Sequence, residues 1–278
     1  MEQQQQQQGP SQGLVERMGQ IKHKVLVLSG KGGVGKSTVS AQLAMALAKA
    51  GKKVGLLDVD LCGPSVPKLV GLEDKGVHKS SEGWVPVYAD KEQRLSVMSI
   101  GFLVEDKNAP VVWRGPKKNA VIKQFLEDVY WGPLDYLVVD TPPGTSDEHI
   151  SITEFLGNFN PDGAVIVTTP QGVSLTDVRK EISFCRKINL PVLGVIENMS
   201  GFVCPCCQEV TNIFSKGGGE AMAADLKVPF LGRVPLDPNL TTCGEQGKCF
   251  LEEHPQSPSL QALQSFVQQL TASSSQQA

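Results

Sequence analysis

The stretch GKGGVGKST (30–38) constrains this chain more than any other. It follows a short β-branched and leucine run, KVLVLSG (24–30), and it leads into KSTVSAQLAMALAKAG, which has helical composition and a natural stop at Gly51. A G-x-x-x-x-G-K-[ST] segment placed between a strand and a helix is a phosphate-cradling loop. Gly30, Gly32, Gly33 and Gly35 let the backbone turn tightly enough for successive N–H groups, that of Val34 among them, to face phosphate oxygens. The helix that begins near Lys36 adds the positive end of its dipole. Lys36 is expected to reach the β and γ phosphates and Ser37, followed by Thr38, to ligate Mg²⁺. The plain alternative is a glycine-rich turn that holds nothing.

The strand, loop and helix rhythm recurs. KKVGLLDVD (52–60), LDYLVVD (134–140), DGAVIVTTP (162–170), LPVLGVIEN (190–198) and VPFLGRVPL (228–236) are brief apolar runs closed by polar residues, as strands buried on both faces are. KKNAVIKQFLEDVYW and LTDVRKEISFCRKI read as helices between them. The alternation predicts an α/β fold with a mostly parallel, doubly wound sheet. The interval 83–102 breaks the rhythm and reads as a hairpin or edge insertion. SLQALQSFVQQLTA places Leu260, Leu263, Phe266, Val267 and Leu270 on one helical face without Lys or Arg, so it is expected to pack on the domain and not on a membrane.

At 278 residues the chain suits one large domain. The expected division is a disordered Gln-rich tail over 1–20, one nucleotide-hydrolase domain over 21–272 with a cysteine loop near 204–207, and a short tail over 273–278. A net charge of −3 offers no basic field for a nucleic acid, and no stretch approaches the roughly 18 consecutive apolar residues of a membrane span. Seven cysteines and no secretory leader point to a reducing compartment, the cytoplasm, with the nucleus also possible. The four histidines are scattered, so a metal would have to be held by sulfur.

Ligands of such a sheet bind where strand C-termini share an edge. Asp58 and Asp60 close one strand and Asp140 closes another, just before TPPGTSDEH. Asp140 is best placed to hold Mg²⁺ through water. Asp58 reads as a satisfied structural carboxylate. Gly144 offers a free N–H that could sense a γ-phosphate. In SGFVCPCCQEV, Cys204 and Cys207 have the C-x-x-C spacing that grips one metal or cluster iron from a tight turn stiffened by Pro205, with Cys206 inside the pair. A redox pair fits this context poorly, and a disulfide does not suit a reducing compartment. Zinc remains open, with Cys243 and Cys249 completing a set of ligands. Cys62 reads as a core residue.

Lys31, just after the first glycine, makes the loop K-G-G-x-G-K-[ST], and this resembles the deviant phosphate-loop family of MinD, ParA, nitrogenase iron protein, the arsenite ATPase and the Mrp-type iron-sulfur carriers. CPxC after a strand ending ENMS, with WRGP (113–116), DTPPGTSDEH and SKGGGE (215–220), is similar to the Mrp-type branch from about Ile21 to near the C-terminus. The resemblance implies ATP and Mg²⁺ as ligands and a dimer in which Lys31 reaches the partner's nucleotide. It also implies that Asp60 orients the attacking water and that Asn198 and Asp237 lie beside the adenine. It further implies slow ATP hydrolysis coupled to a [4Fe-4S] cluster held by Cys204 and Cys207 of each subunit, for delivery to apoproteins. With no cysteine before Cys62, the chain resembles the shorter scaffold subunit of that branch. Its implied partner is a larger subunit with an N-terminal cysteine cluster, in a heterotetramer, or a second copy in a homodimer. A MinD- or ParA-like positioning ATPase and a zinc-stapled nucleotide sensor are the alternatives.

Overall fold

Alternate residues of the first strand feed two separate cores. In the computed structural model, which describes residues 9–104, 113–204, 206–207 and 209–275, strand β1 (Ile21–Leu28) sends Val25 and Val27 into one apolar layer and Leu26 and Leu28 into the other. A strand buried on both faces must be apolar throughout, which is why these runs show no polar alternation.

The described elements follow in order. After α1 (Gln12–Met18) and β1 come α2 (Lys36–Lys49), β2 (Val54–Asp58), α3 (Val66–Leu69), β3 (His78–Ser80), β4 (Gly83–Val85), β5 (Val87–Tyr88) and β6 (Leu95–Ser99). Then come α4 (Gly115–Glu127), β7 (Leu134–Asp140), α5 (Asp147–Gly157), β8 (Gly163–Thr168), α6 (Gly172–Lys187), β9 (Val192–Val203) and β10 (Val210–Thr211). The chain closes with α7 (Gly218–Asp225), β11 (Phe230–Leu236), α8 (Pro238–Glu245), α9 (Phe250–Glu253) and α10 (Pro258–Ser275).

The main sheet runs β10-β9-β8-β1-β7-β2-β6-β5, with β11 also on β9. All its pairings are parallel except those of β5 and β10 at the two ends. This is the expected doubly wound sheet. On one face α2 is buried almost all round, because its alanines let it nestle between the sheet and α10. Leu260, Leu263, Phe266, Val267 and Leu270 of α10 are all buried, so the apolar stripe packs inward as the spacing predicts. Gly51, at φ 85, ends α2 in the left-handed conformation that favours glycine.

Four elements depart from the reading of the sequence. The tail expected over 1–20 is not wholly loose: α1 buries Leu14 and Met18 against α4, while Arg17 lies 5.0 Å from the centre of the Tyr130 ring. Two apolar residues one helical turn apart supply the anchor, and the glutamine run before them masks it by composition. The interval 83–102 is only partly a hairpin. β5 pairs antiparallel with β6, but β6 is a buried strand parallel to β2, and β4 pairs instead with β3. Finally, β9 does not stop at Asn198. It continues to Val203 and turns back as β10, so the cysteines sit on a hairpin that projects beyond the sheet edge. At the far end, α10 continues to Ser275, into the tail expected from 273.

Candidate nucleotide site and cysteine hairpin

The glycine loop is shaped by what surrounds it. A Cβ on Gly30 would lie 2.5 Å from the carbonyl carbon of Asp177 in α6, and one on Gly35 would lie 2.3 Å from Asn198 Nδ2. Gly33 and Gly35 hold φ of 80 and 82, so the chain enters α2 through two left-handed residues. The first N–H groups of α2 have no intrahelical partners, which makes the start of the helix a place where an anion fits.

Sheet register assembles the acids. Asp140 lies opposite both Val27 of β1 and Asp58 of β2, which brings the two carboxylates to neighbouring strand ends beside the loop. Asp140 is wholly buried and accepts from Lys36 Nζ, Ser37 Oγ and Ser40 Oγ, each at 2.6 Å. Lys36 Nζ also donates to Ser37 Oγ at 3.1 Å. Sequence reasoning missed Ser40, whose only signal is its place one helical turn after Lys36. Asp58 is also wholly buried, accepting from Ser99 Oγ and from the Asp60 N–H, both at 3.0 Å. Burial pushes its carboxyl well above the usual carboxylate range, and the Asp140 carboxylate adds to the rise. Asp60 is raised too, by burial first, although Lys36 and the Gly63 N–H pull the other way. The hydroxyl and carboxylate oxygens of Ser37 and Asp140 make a hard donor set that suits Mg²⁺.

His149 is a second residue that the sequence did not single out. Its Nδ1 lies 3.2 Å from the Ser146 backbone N–H, closing a capping box at the start of α5. Burial drops its pKa to about 4, so the ring is neutral at physiological pH. Beside it, burial raises the Glu148 carboxyl, but hydrogen bonds from Lys118, Ser146 and the backbone together outweigh it and hold the group below the ordinary range, and Glu148 pairs with Lys118 at 2.6 Å.

Several expected contacts differ in detail. The Gly144 N–H is not free: at φ 72 it donates to the Ser29 carbonyl at 2.8 Å, which ties the segment after Asp140 to the glycine loop. Asn198 is buried and donates from Nδ2 to the Val34 carbonyl at 2.9 Å, bracing the loop from β9. Asp237 caps α8 through the Asn239 N–H at 2.9 Å and accepts from Ser257 Oγ at 2.6 Å. Asn198 and Asp237 nevertheless line one cavity of about 320 Å³ with Gly35 and Thr38, directly beside the phosphate loop. Lys31 is half-exposed at the sheet edge, and among the described residues it has no ion pair.

The cysteines divide into two groups. The Cys204 N–H donates to the Glu209 carbonyl at 3.0 Å, which closes the hairpin. Backbone N–H groups of Cys207 and Cys206 lower the Cys204 thiol below its ordinary value, so the turn favours the thiolate that a metal needs. Cys206 and Cys207 are exposed; Pro205 lies outside the described residues. Cys243 packs with Leu240, Phe250 and Leu260, and Cys249 precedes α9. Among the described residues no three Cys, His, Asp or Glu side chains are gathered to hold a metal ion. Cys62, expected in the core, is exposed on the loop after Asp60.

The chain as a whole has counterparts among known proteins. The family profile for the NUBPL iron-transfer P-loop NTPases matches residues 20–271. The chain belongs to that family. Within it, the chain is 62% identical to the cytosolic Fe-S cluster assembly factor NUBP2 homolog of Dictyostelium discoideum, over 93% of this chain and 97% of that protein. It is 60% identical to the NUBP2 of Bos taurus, over 90% and 92%. A nucleotide-binding protein of Archaeoglobus fulgidus, solved in complex with ADP, shares 40% identity and a TM-score of 0.76, covering 89% of this chain and 94% of that one. MinD of Aquifex aeolicus, 24% identical over 90% of this chain and 97% of its own with a TM-score of 0.65, shares the fold. The P-loop NTPase architecture is therefore that of the MinD and ParA group, and the sequence affinity within the NUBPL family lies with the NUBP2 proteins.

Proposed function

We propose that the chain is an ATP-dependent scaffold that assembles a [4Fe-4S] cluster and passes it to cytosolic and nuclear apoproteins. The observation that carries this reading is that one strand, β9, runs from a residue bracing the phosphate loop to a hairpin carrying exposed cysteines. A nucleotide site and a thiolate site on one strand can act on each other in a way that two separate sites cannot.

In this reading Lys36 exchanges Asp140 for the β and γ phosphates when ATP binds. Ser37 and Asp140 would hold a Mg²⁺, which would supply neutralising charge at the phosphates. The backbone N–H groups of 30–35 and of Ser37 and Thr38 cradle the phosphates, and the adenosine occupies the cavity bounded by Asn198 and Asp237. Asp60, its carboxyl raised by burial, orients the attacking water. Lys31 reaches the nucleotide of a facing subunit and stabilises charge in the transition state, as an arginine finger does. The cluster is cargo: Cys204 and Cys207 of each of two subunits supply its thiolates, and hydrolysis changes how the dimer holds it.

The named relatives are cytosolic, and the same compartment is proposed here. The partner is a larger scaffold subunit with an N-terminal cysteine cluster, giving a heterotetramer, or a second copy of this chain. Lys36→Ala tests the reading: nucleotide binding and iron loading in cells should both be lost. Iron loading that survives the substitution would overturn the coupling.

A further inference from the structure

The contact between β9 and the phosphate loop lies one residue from a second anchor on the same strand. Asn198 donates to Val34 on the α2 side of the sheet. Consecutive strand residues face opposite sides, so Glu197 points into the other layer. There its buried carboxylate accepts from Ser200 Oγ at 2.5 Å and from the N–H groups of Gly217 and Gly219 at 3.1 and 2.6 Å. The segment SKGGGE is thereby clamped to the base of the cysteine hairpin.

Between these anchors and Cys204 the backbone turns left-handed twice, at Met199 (φ 55) and at Gly201 (φ 82). A methionine in that region is uncommon and persists only where its surroundings hold it. Both ends of the kink touch something that matters. The Met199 terminal methyl lies 3.8 Å from where a Cβ on Gly35 would stand, and a Cβ on Gly201 would lie 3.1 Å from Val210 Cγ1 on the returning strand.

We infer that Asn198 and the kink at 199–201 form the link through which the phosphate loop sets the position of the cysteine hairpin. Asn198 is a positioning residue: when the loop closes on phosphate, the Val34 carbonyl moves and Asn198 follows it. The Glu197 clamp holds the opposite face of the strand, so the displacement is taken up by the kink and delivered to the hairpin. The purpose of such a link rests on the scaffold reading, but its existence does not.

The test uses the metal-free full chain. Alkylation of Cys204 by N-ethylmaleimide is followed by peptide mass spectrometry, with and without saturating ADP and Mg²⁺, and Cys249 serves as the reference thiol. ADP should slow labelling of Cys204 about fivefold, the lower end of coupling between linked sites, and leave Cys249 unchanged. Asn198→Ala, at ADP concentrations verified to saturate it, should abolish the difference. Gly201→Ala alters the kink without touching the loop and should abolish it as well, and it decides the matter if Asn198→Ala no longer binds ADP. Absence of the ADP effect in the parent chain, or its survival in these variants, overturns the link. Neither result bears on the scaffold reading, which fails separately if the parent chain takes up no cluster from iron and sulfide.

Discussion

Buried charge is concentrated on a few residues, and each has a measurable consequence. Asp140 is wholly buried with Lys36 as its ion-pair partner, so Lys36→Ala leaves a carboxylate with only Ser37 and Ser40 to satisfy it. Removing one partner of a buried pair typically costs about 3 kcal/mol or more, and urea denaturation should show a loss of that order in addition to the lost nucleotide binding. Glu181 of α6 is 1% exposed and its Oε2 has no partner among the described residues. Burial, aided by Asp177, pushes its carboxyl up to about 7. Because the folded pKa is raised, its contribution to stability is complete below the unfolded value near 4.5 and is lost as pH rises towards 7. Glu181→Gln should remove that dependence and stabilise the protein at pH 8 by about 3 kcal/mol, measured by denaturation at pH 5 and at pH 8. An unchanged pH dependence would show that the carboxylate is solvated in solution.

Elements were legible in the sequence to the extent that their signal was local. The parallel strands were plain because burial on both faces leaves short apolar runs, and their terminal acids followed from position alone. The apolar stripe of α10 was equally plain, and it makes a sharp prediction: Phe266, buried at 2% exposure against α2 and β11, should cost about 3–5 kcal/mol on Phe266→Ala in urea denaturation. What could not be read depends on contacts between distant segments. Leu14 and Met18 gain their partners from α4, more than a hundred residues away, so α1 hid behind the glutamines. The continuation of β9 depends on pairing with β10 and β11, and no periodicity in MSGFV announces it. The Gly144 N–H looked free because nothing local shows that Ser29 lies opposite. The requirement for glycine at position 30 is likewise tertiary. Gly30→Ala would drive a methyl into the α6 backbone, and calorimetric titration with ADP should show affinity reduced at least about tenfold.

At the scale of the whole molecule, the sheet keeps two chemistries at one edge. The phosphate loop, Asp140 and Asp60 lie at the ends of central strands, and the cysteine hairpin rises from β9 nearer the margin. One hairpin offers too few thiolates to complete a four-thiolate cluster, and Cys243 and Cys249 are packed elsewhere in the chain. The proposed bridging site between two subunits accounts for both facts. It is tested most directly by anaerobic reconstitution with ferrous iron and sulfide, reading thiolate-to-iron charge-transfer absorbance, metal content and mass in solution together. A coloured dimer with about two iron atoms per chain is expected, abolished by Cys204→Ala or Cys207→Ala and retained by Cys206→Ala. A colourless protein with stoichiometric zinc, or a cluster held by single chains, would contradict it.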